Sequence, residues 1–213
     1  MKHVIKAIAV GLLLFVAISN AYAFDLPTTT TFTFKPNPKD LNDLPHEKWF
    51  KWGINWDLPS GQCIQEASIS YYNIYDWTKE NNDVLYTTLI NTVRRTGLTG
   101  GIDYQGGGNY FAGKGVLIGQ WSDPIGGKPR NVNLEYQIDS SYFGMLSDGN
   151  FGFGIDPDCH YYNDKIEVRI VTTNKLEGNS PVPEGTTAVL SLLGFGAMAL
   201  PMRFLRNRFS SSC

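Results

Sequence analysis

The residues best equipped for chemistry share one stretch, "GIDPDCHYYND", residues 154–164. Asp156, Asp158, Asn163 and Asp164 make it the densest oxygen-ligand cluster in the chain. Calcium takes carboxylate and carbonyl oxygens from loops, so these four are the calcium candidates, and no other cofactor is implied. The spacing is not an EF-hand: no Gly stands at the sixth loop position and no Glu at the twelfth. The competing reading is a turn in which Asp and Asn side chains cap backbone amides. Cys159 and His160 are adjacent, so in a strand their side chains face opposite ways and cannot form a Cys–His nucleophile. His3 falls in the leader described below, which leaves His46 and His160 and too few imidazoles for a His-rich zinc site.

Two further stretches resemble functional motifs. Gly108 to Lys114 has the spacing of a phosphate-binding loop, but Gly115 follows where Ser or Thr must hold magnesium. A glycine-rich surface loop is the expectation there. Glycoside hydrolysis needs two acids about 5–10 Å apart in a cleft, and spacing cannot select a pair from 20 acidic residues. There is no Gly-x-Ser-x-Gly elbow. The chain therefore carries no catalytic motif, and a non-enzymatic role is expected. Trp49, Trp52, Trp56, Trp77 and Trp121 could supply a sugar-stacking platform; the alternative is that they fill the core.

The elements that must position these residues are strands. "NVNLEYQID" and "DKIEVRIVTT" alternate apolar and polar residues with strict period two, the pattern of a sheet with one wet face. "TTTTFTF", "HEKWFKWGINWD", "EASISYYNIYDW" and "GKGVLIGQW" read as further strands, with turn signals between them. One helix is expected over "NDVLYTTLINTVRR", where Leu85, Leu89 and Val93 recur at i, i+4 and i+8; its Thr and Val content also suits a strand. The expected fold is mainly all-β, an antiparallel β-sandwich of jelly-roll type, with an N-terminal signal helix and a C-terminal hydrophobic helix. In an oxidising compartment Cys63 and Cys159 would pair across it; two buried thiols are the alternative.

The two ends of the 213-residue chain are of another kind. Residues 1–23 have Lys2 and Lys6, an apolar run and Ala21-Tyr22-Ala23, the pattern that signal peptidase cleaves. The exported domain then spans 24–174, a linker 175–186, a hydrophobic segment with a basic cluster 187–208, and a tail 209–213. Without the basic residues of the two ends and without Glu184, the 18 basic and 20 acidic residues become 13 and 19, a net charge of about −6. Such a domain lacks the basic patches that nucleic-acid binding needs. The 14 residues from Thr187 to Leu200 carry no charge. As a helix they would reach about 21 Å, short of a bilayer core of about 30 Å. Arg203, Arg206 and Arg208 would keep the C-terminus cytoplasmic.

Val182-Pro183-Glu184, an apolar Gly/Leu/Ala segment and a basic cluster, behind a signal peptide, resemble the PEP-CTERM sorting signal. The stretch 148–164, with "KWGI" and "DVLYTTLIN", is similar to exported domains that carry this signal. Gly185 stands where the motif has its second Pro. The resemblance implies recognition of residues 182–185 by an exosortase, a membrane protease that removes the helix. The membrane-anchored precursor would then deliver its domain to the cell surface or extracellular matrix, where exopolysaccharide is a partner. Two other readings remain: a carbohydrate-active enzyme on a β-sandwich, or a binding module kept on a plain membrane anchor.

Overall fold

A computed structural model describes residues 27–77, 83–104, 107–123, 125–127 and 131–175. The leader and the segments from 176 onward, with residues 182–185 and Arg203, Arg206 and Arg208, lie outside them. Among the described residues no helix is long and apolar enough to cross a membrane.

The described residues form antiparallel β-sheets. The strands are β1 (Thr29–Phe34), β2 (Lys48–Asp57), β3 (Gln62–Asp76), β4 (Leu85–Asn91), β5 (Gly97–Ile102), β6 (Val116–Trp121), β7 (Val132–Gln137), β8 (Asp148–Pro157), β9 (Tyr161–Tyr162) and β10 (Lys165–Asn174). A 3-10 turn, Ser140–Tyr142, runs into a helix over Phe143–Ser147 that seats Leu146 in the core. One sheet has the order β1-β10-β3-β7, with β9 paired to β3; the other has the order β5-β2-β8-β4-β6.

Period-two sequence becomes two-faced strand. In β10, Ile166, Val168 and Ile170 are buried and lie opposite Tyr71, Ile69 and Ala67 of β3. The intervening Glu167 and Arg169 point to water, where Glu167 pairs with Lys165 at 2.9 Å and Arg169 with Glu66 at 3.2 Å. Both sheets feed one apolar cluster: Ile69, Tyr71 and Val168 from the first, Trp52, Leu89, Phe153 and Ile155 from the second.

Two expectations are corrected. The segment expected as a helix is strand β4, held between β8 and β6. Leu85, Thr87, Thr88, Leu89 and Ile90 are all buried there, so both faces are covered and an amphipathic helix has no wet side to offer. The Cys63–Cys159 disulfide does not form: Cys159 is buried and stays in the thiol state. Cys63 lies at the start of β3 opposite Thr173, while the Cys159 sulfur lies 3.1 Å from Asp76 Oδ1 at the end of the same strand. Thirteen residues of extended strand separate the two positions, about 40 Å at 3.3 Å per residue. A disulfide needs Cα atoms within about 7 Å.

Candidate functional site

Strand β8 sets the geometry. Phe151, Phe153 and Ile155 face the main core, so Gly152, Gly154 and Asp156 face the other side of the sheet. A second apolar cluster of Ile90, Val93 and Phe111 covers that side. The glycines make room for it: a Cβ on Gly154 would lie 2.5 Å from the Phe111 ring, and one on Gly152 would lie 2.7 Å from Val93. Phe111 belongs to the glycine-rich loop between β5 and β6, which is thereby laid over β8 next to Asp156.

That loop uses its backbone amides much as a phosphate loop does, but on protein carboxylates. The Gly108 N–H donates to Asp158 Oδ2 at 2.8 Å, and the Tyr110 N–H donates to Asp156 Oδ2 at 2.6 Å. Asn109 closes the turn by accepting from the Phe111 amide at 2.8 Å. Gly108 has φ +96°, a conformation that glycine adopts without steric cost. The donors a phosphate would need are occupied, which is a physical reason against nucleotide binding beyond the missing Ser or Thr.

Asp103, immediately after β5, completes a group with Asp156 and Asp158. Each offers one oxygen, and these oxygens all lie within 4.8 Å of one another. Asp156 is fully buried and its Oδ1 meets no hydrogen-bond donor. Burial pushes its carboxyl up to about 7, helped by the charges of Asp103 and Asp158 and opposed by the Tyr110 amide. Asp158 is raised as well, by burial and the Asp103 charge, against the Gly108 amide and the nearby His46. Tyr86, opposite Asp156 on β4, is raised by its own burial and by Asp158 and Asp156.

Asn163 and Asp164 do not join this group. The Asn163 side-chain amide donates to the Asp40 carbonyl at 3.0 Å, and its backbone N–H donates to Asp43 Oδ1 at 3.3 Å. Asp164 accepts from the Asn73 side chain. Asn163 thereby pins the turn at Leu41–Asp43, whose three residues all have positive φ, while Asp164 braces Asn73 of β3. The four calcium candidates thus divide: Asp156 and Asp158 join Asp103, Asn163 braces the turn before β2, and Asp164 bonds the Asn73 side chain. Nothing in the spacing marked Asp103.

Two aromatic surfaces flank the acids. In the first, Trp49 stacks on Tyr110 with ring centres 4.8 Å apart and planes within 8°, and Lys114 Nζ lies 3.5 Å from the Tyr110 ring centre. In the second, a cleft of about 370 Å³ is lined by Trp77, Tyr75, Tyr162 and His160, with Asn42 to Pro45 as its other wall. Trp77 meets the His160 ring edge-on at 5.4 Å, and Tyr75 and Tyr162 stand 5.2 Å apart. His46 and His160, with rings 4.6 Å apart, join this cleft to the acid group. Trp52 and Trp56 are core residues, Trp49 and Trp121 are half-buried, and Trp77 is 59% exposed. Cys159 is buried beside Asp76 and Asp83, with its neighbour His160 in the cleft.

No protein-family model matches the chain, and no curated protein matches it. Among solved structures it is similar to one titled "Structure of infectious bursal disease virus Gx strain", at TM-score 0.23 and 12% identity, covering 74% of this chain and 34% of that one. The chain spans about a third of the matched chain's length, and a likeness this low bears on neither fold nor function.

Proposed function

We propose that the chain is an exported protein of the cell surface or extracellular matrix, with a PEP-CTERM-like sorting tail and a non-enzymatic jelly-roll domain that contacts exopolysaccharide. The observation that carries the binding role is the Trp77 cleft. An exposed indole beside Tyr75, Tyr162 and His160 offers flat apolar faces, with ring polar groups at their edges, the composition of a sugar-stacking surface.

Strand order supports the jelly roll. With β5 and β9 set aside as additions, eight strands remain. The first sheet then holds the first, eighth, third and sixth strands, and the second sheet holds the second, seventh, fourth and fifth. All pairs are antiparallel. That order matches the one expected for the double Greek-key wrapping of a jelly roll, and the apolar cluster drawn from both sheets supports their stacking as a sandwich. The acid group lends no support to a glycosidase. Its oxygens converge within 4.8 Å around a fully buried Asp156, leaving no room for a glycosidic bond between them.

Affinity electrophoresis of the full chain through gels cast with bacterial exopolysaccharide tests the binding role. The wild type should be retarded. Trp77→Ala should weaken binding by about tenfold, the loss of one aromatic hot spot. An unretarded wild type, or a Trp77→Ala chain that migrates with it, would count against the proposal.

A further inference from the structure

We propose that Asp103, Asp156 and Asp158 hold a hard divalent cation, of the calcium class, that clamps the edge strand β5 and the loop 107–115 onto the central strand β8. The inference stands whether or not the Trp77 cleft binds sugar.

Distance is the first argument. Calcium sits about 2.3–2.6 Å from each oxygen ligand, so two ligands of one ion lie at most about 5 Å apart. The three carboxylates meet that bound in every pair, with offered oxygens within 4.8 Å. Ligand chemistry is the second. The group is all oxygen, which selects calcium or magnesium over zinc and copper. Its ligands come from two distant parts of the chain: Asp103 just past β5, and Asp156 and Asp158 at and just past the end of β8. A set gathered in this way suits the flexible coordination of calcium better than the near-ideal octahedron of magnesium.

The orphaned oxygen is the third and independent argument. Asp156 is fully enclosed, and its Oδ1 meets no donor, while Oδ2 is held by the Tyr110 amide. Buried carboxylate oxygens are normally satisfied by donors or by metals, because water cannot reach them. Here the nearest side chains are two more carboxylates, whose charges disfavour ionisation of Asp156 and one of which, Asp103, lies close enough to share a proton with it; His46 offsets only part of the charge, at Asp158. A cation at this point supplies the missing partner and offsets the mutual repulsion. The Gly108 and Tyr110 amides then act as the outer support, fixing the orientation of Asp158 and Asp156.

The clamp has a structural consequence. Strand β5 is the edge of its sheet and pairs only with β2 among the described strands. Asp103 at its end and the loop that follows have a single acidic anchor in common, the carboxylates of Asp156 and Asp158. A bound ion ties the loop, Trp49 with its stacked Tyr110, and the sheet edge into one unit.

The test uses the full chain in detergent, stripped with EDTA and exchanged into chelator-free buffer at pH 8. Calcium chloride is titrated in by calorimetry, and thermal unfolding is followed in parallel. One equivalent should bind. At about a hundred times the dissociation constant, Tm should rise on the order of 5–10 °C. Asp103→Asn, at a strand end rather than in the core, should fold, melt like the EDTA-treated wild type and bind at least about tenfold more weakly. Asp164→Asn should bind as the wild type does. Absence of heat and of any Tm shift would overturn the site, as would full affinity in Asp103→Asn. Loss of binding in Asp164→Asn with retention in Asp103→Asn would move the ion to the Asn73–Asp164 turn and refute this assignment. A larger shift with magnesium than with calcium would refute the calcium class.

Discussion

At the scale of residues, Asp156 holds the most information. Its folded carboxyl is raised to about 7, chiefly by burial, against about 3.9 in an unfolded chain. A carboxyl raised on folding favours the folded state while it is protonated. That contribution is fully present below about pH 4 and is lost as pH rises through 7. In excess EDTA, Tm should therefore fall between pH 5 and pH 8, and Asp156→Asn should flatten the slope. Asp103 and Asp158 face the same group and add to the rise, Tyr86 stays neutral across this range, and His46 acts on Asp158 in the opposite sense. A pH-independent Tm in the wild type would mean that the carboxyl is not held in this environment. Half of this site was legible in the sequence. Asp156-Pro-Asp158 stands out as a ligand pair. Asp103 lies far away along the chain and comes near only because β2 pairs with both β5 and β8. Such a meeting depends on strand order, which local spacing does not encode.

At the scale of elements, β4 shows why spacing alone misleads. Leu85 and Leu89 are four apart, and a step of four returns to the same face of a helix and of a strand alike. The deciding residue is Thr87, which in the strand shares the inward face with both leucines. Its hydroxyl meets the Tyr71 hydroxyl at 2.7 Å, joining the two sheets through the core. Burial pushes the Tyr71 phenol far up, so it stays neutral and keeps this bond at any working pH. Thr87→Val keeps the shape but removes the partner, leaving a buried hydroxyl unsatisfied. The expected cost is about 1–3 kcal/mol, read from urea denaturation, with Thr87→Ser losing less because the hydroxyl remains. Equal costs for the two variants would assign the effect to packing rather than to the bond. Strands β7 and β10 were legible because each has one wet face. β8 was not, since as a central strand covered on both sides it shows no polar alternation, only glycines where Val93 and Phe111 press against it.

At the scale of the whole molecule, the strand registers place the Trp77 cleft and the acid group at one end. Thr29 pairs with Thr173, so the chain enters and leaves the first sheet at the same edge and the same end. Gln62, opposite Asn174, marks that end on β3, and β3 finishes at Asp76 next to Trp77 at the other. β2 runs toward the entry end at Asp57, so its start at Lys48, opposite Ile102, lies at the far end beside Asp103. The Trp77 cleft and the acid group therefore share the pole away from Lys175, linked by His46 and His160. A domain tethered through its C-terminal segment would present both features outward. Under the proposed sorting-tail reading, the segment after residue 175 decides between a released matrix protein and an anchored one, and intact mass of the mature protein tests it. Processing at both ends should leave a chain beginning at Phe24 and ending near Pro183–Gly185, recovered outside the membrane fraction. A mass that includes everything through Cys213 would rule out removal of the helix. It would leave a domain fixed to the membrane by one pole with its cleft facing out, and the cause would be sought first at Gly185, where the motif has Pro.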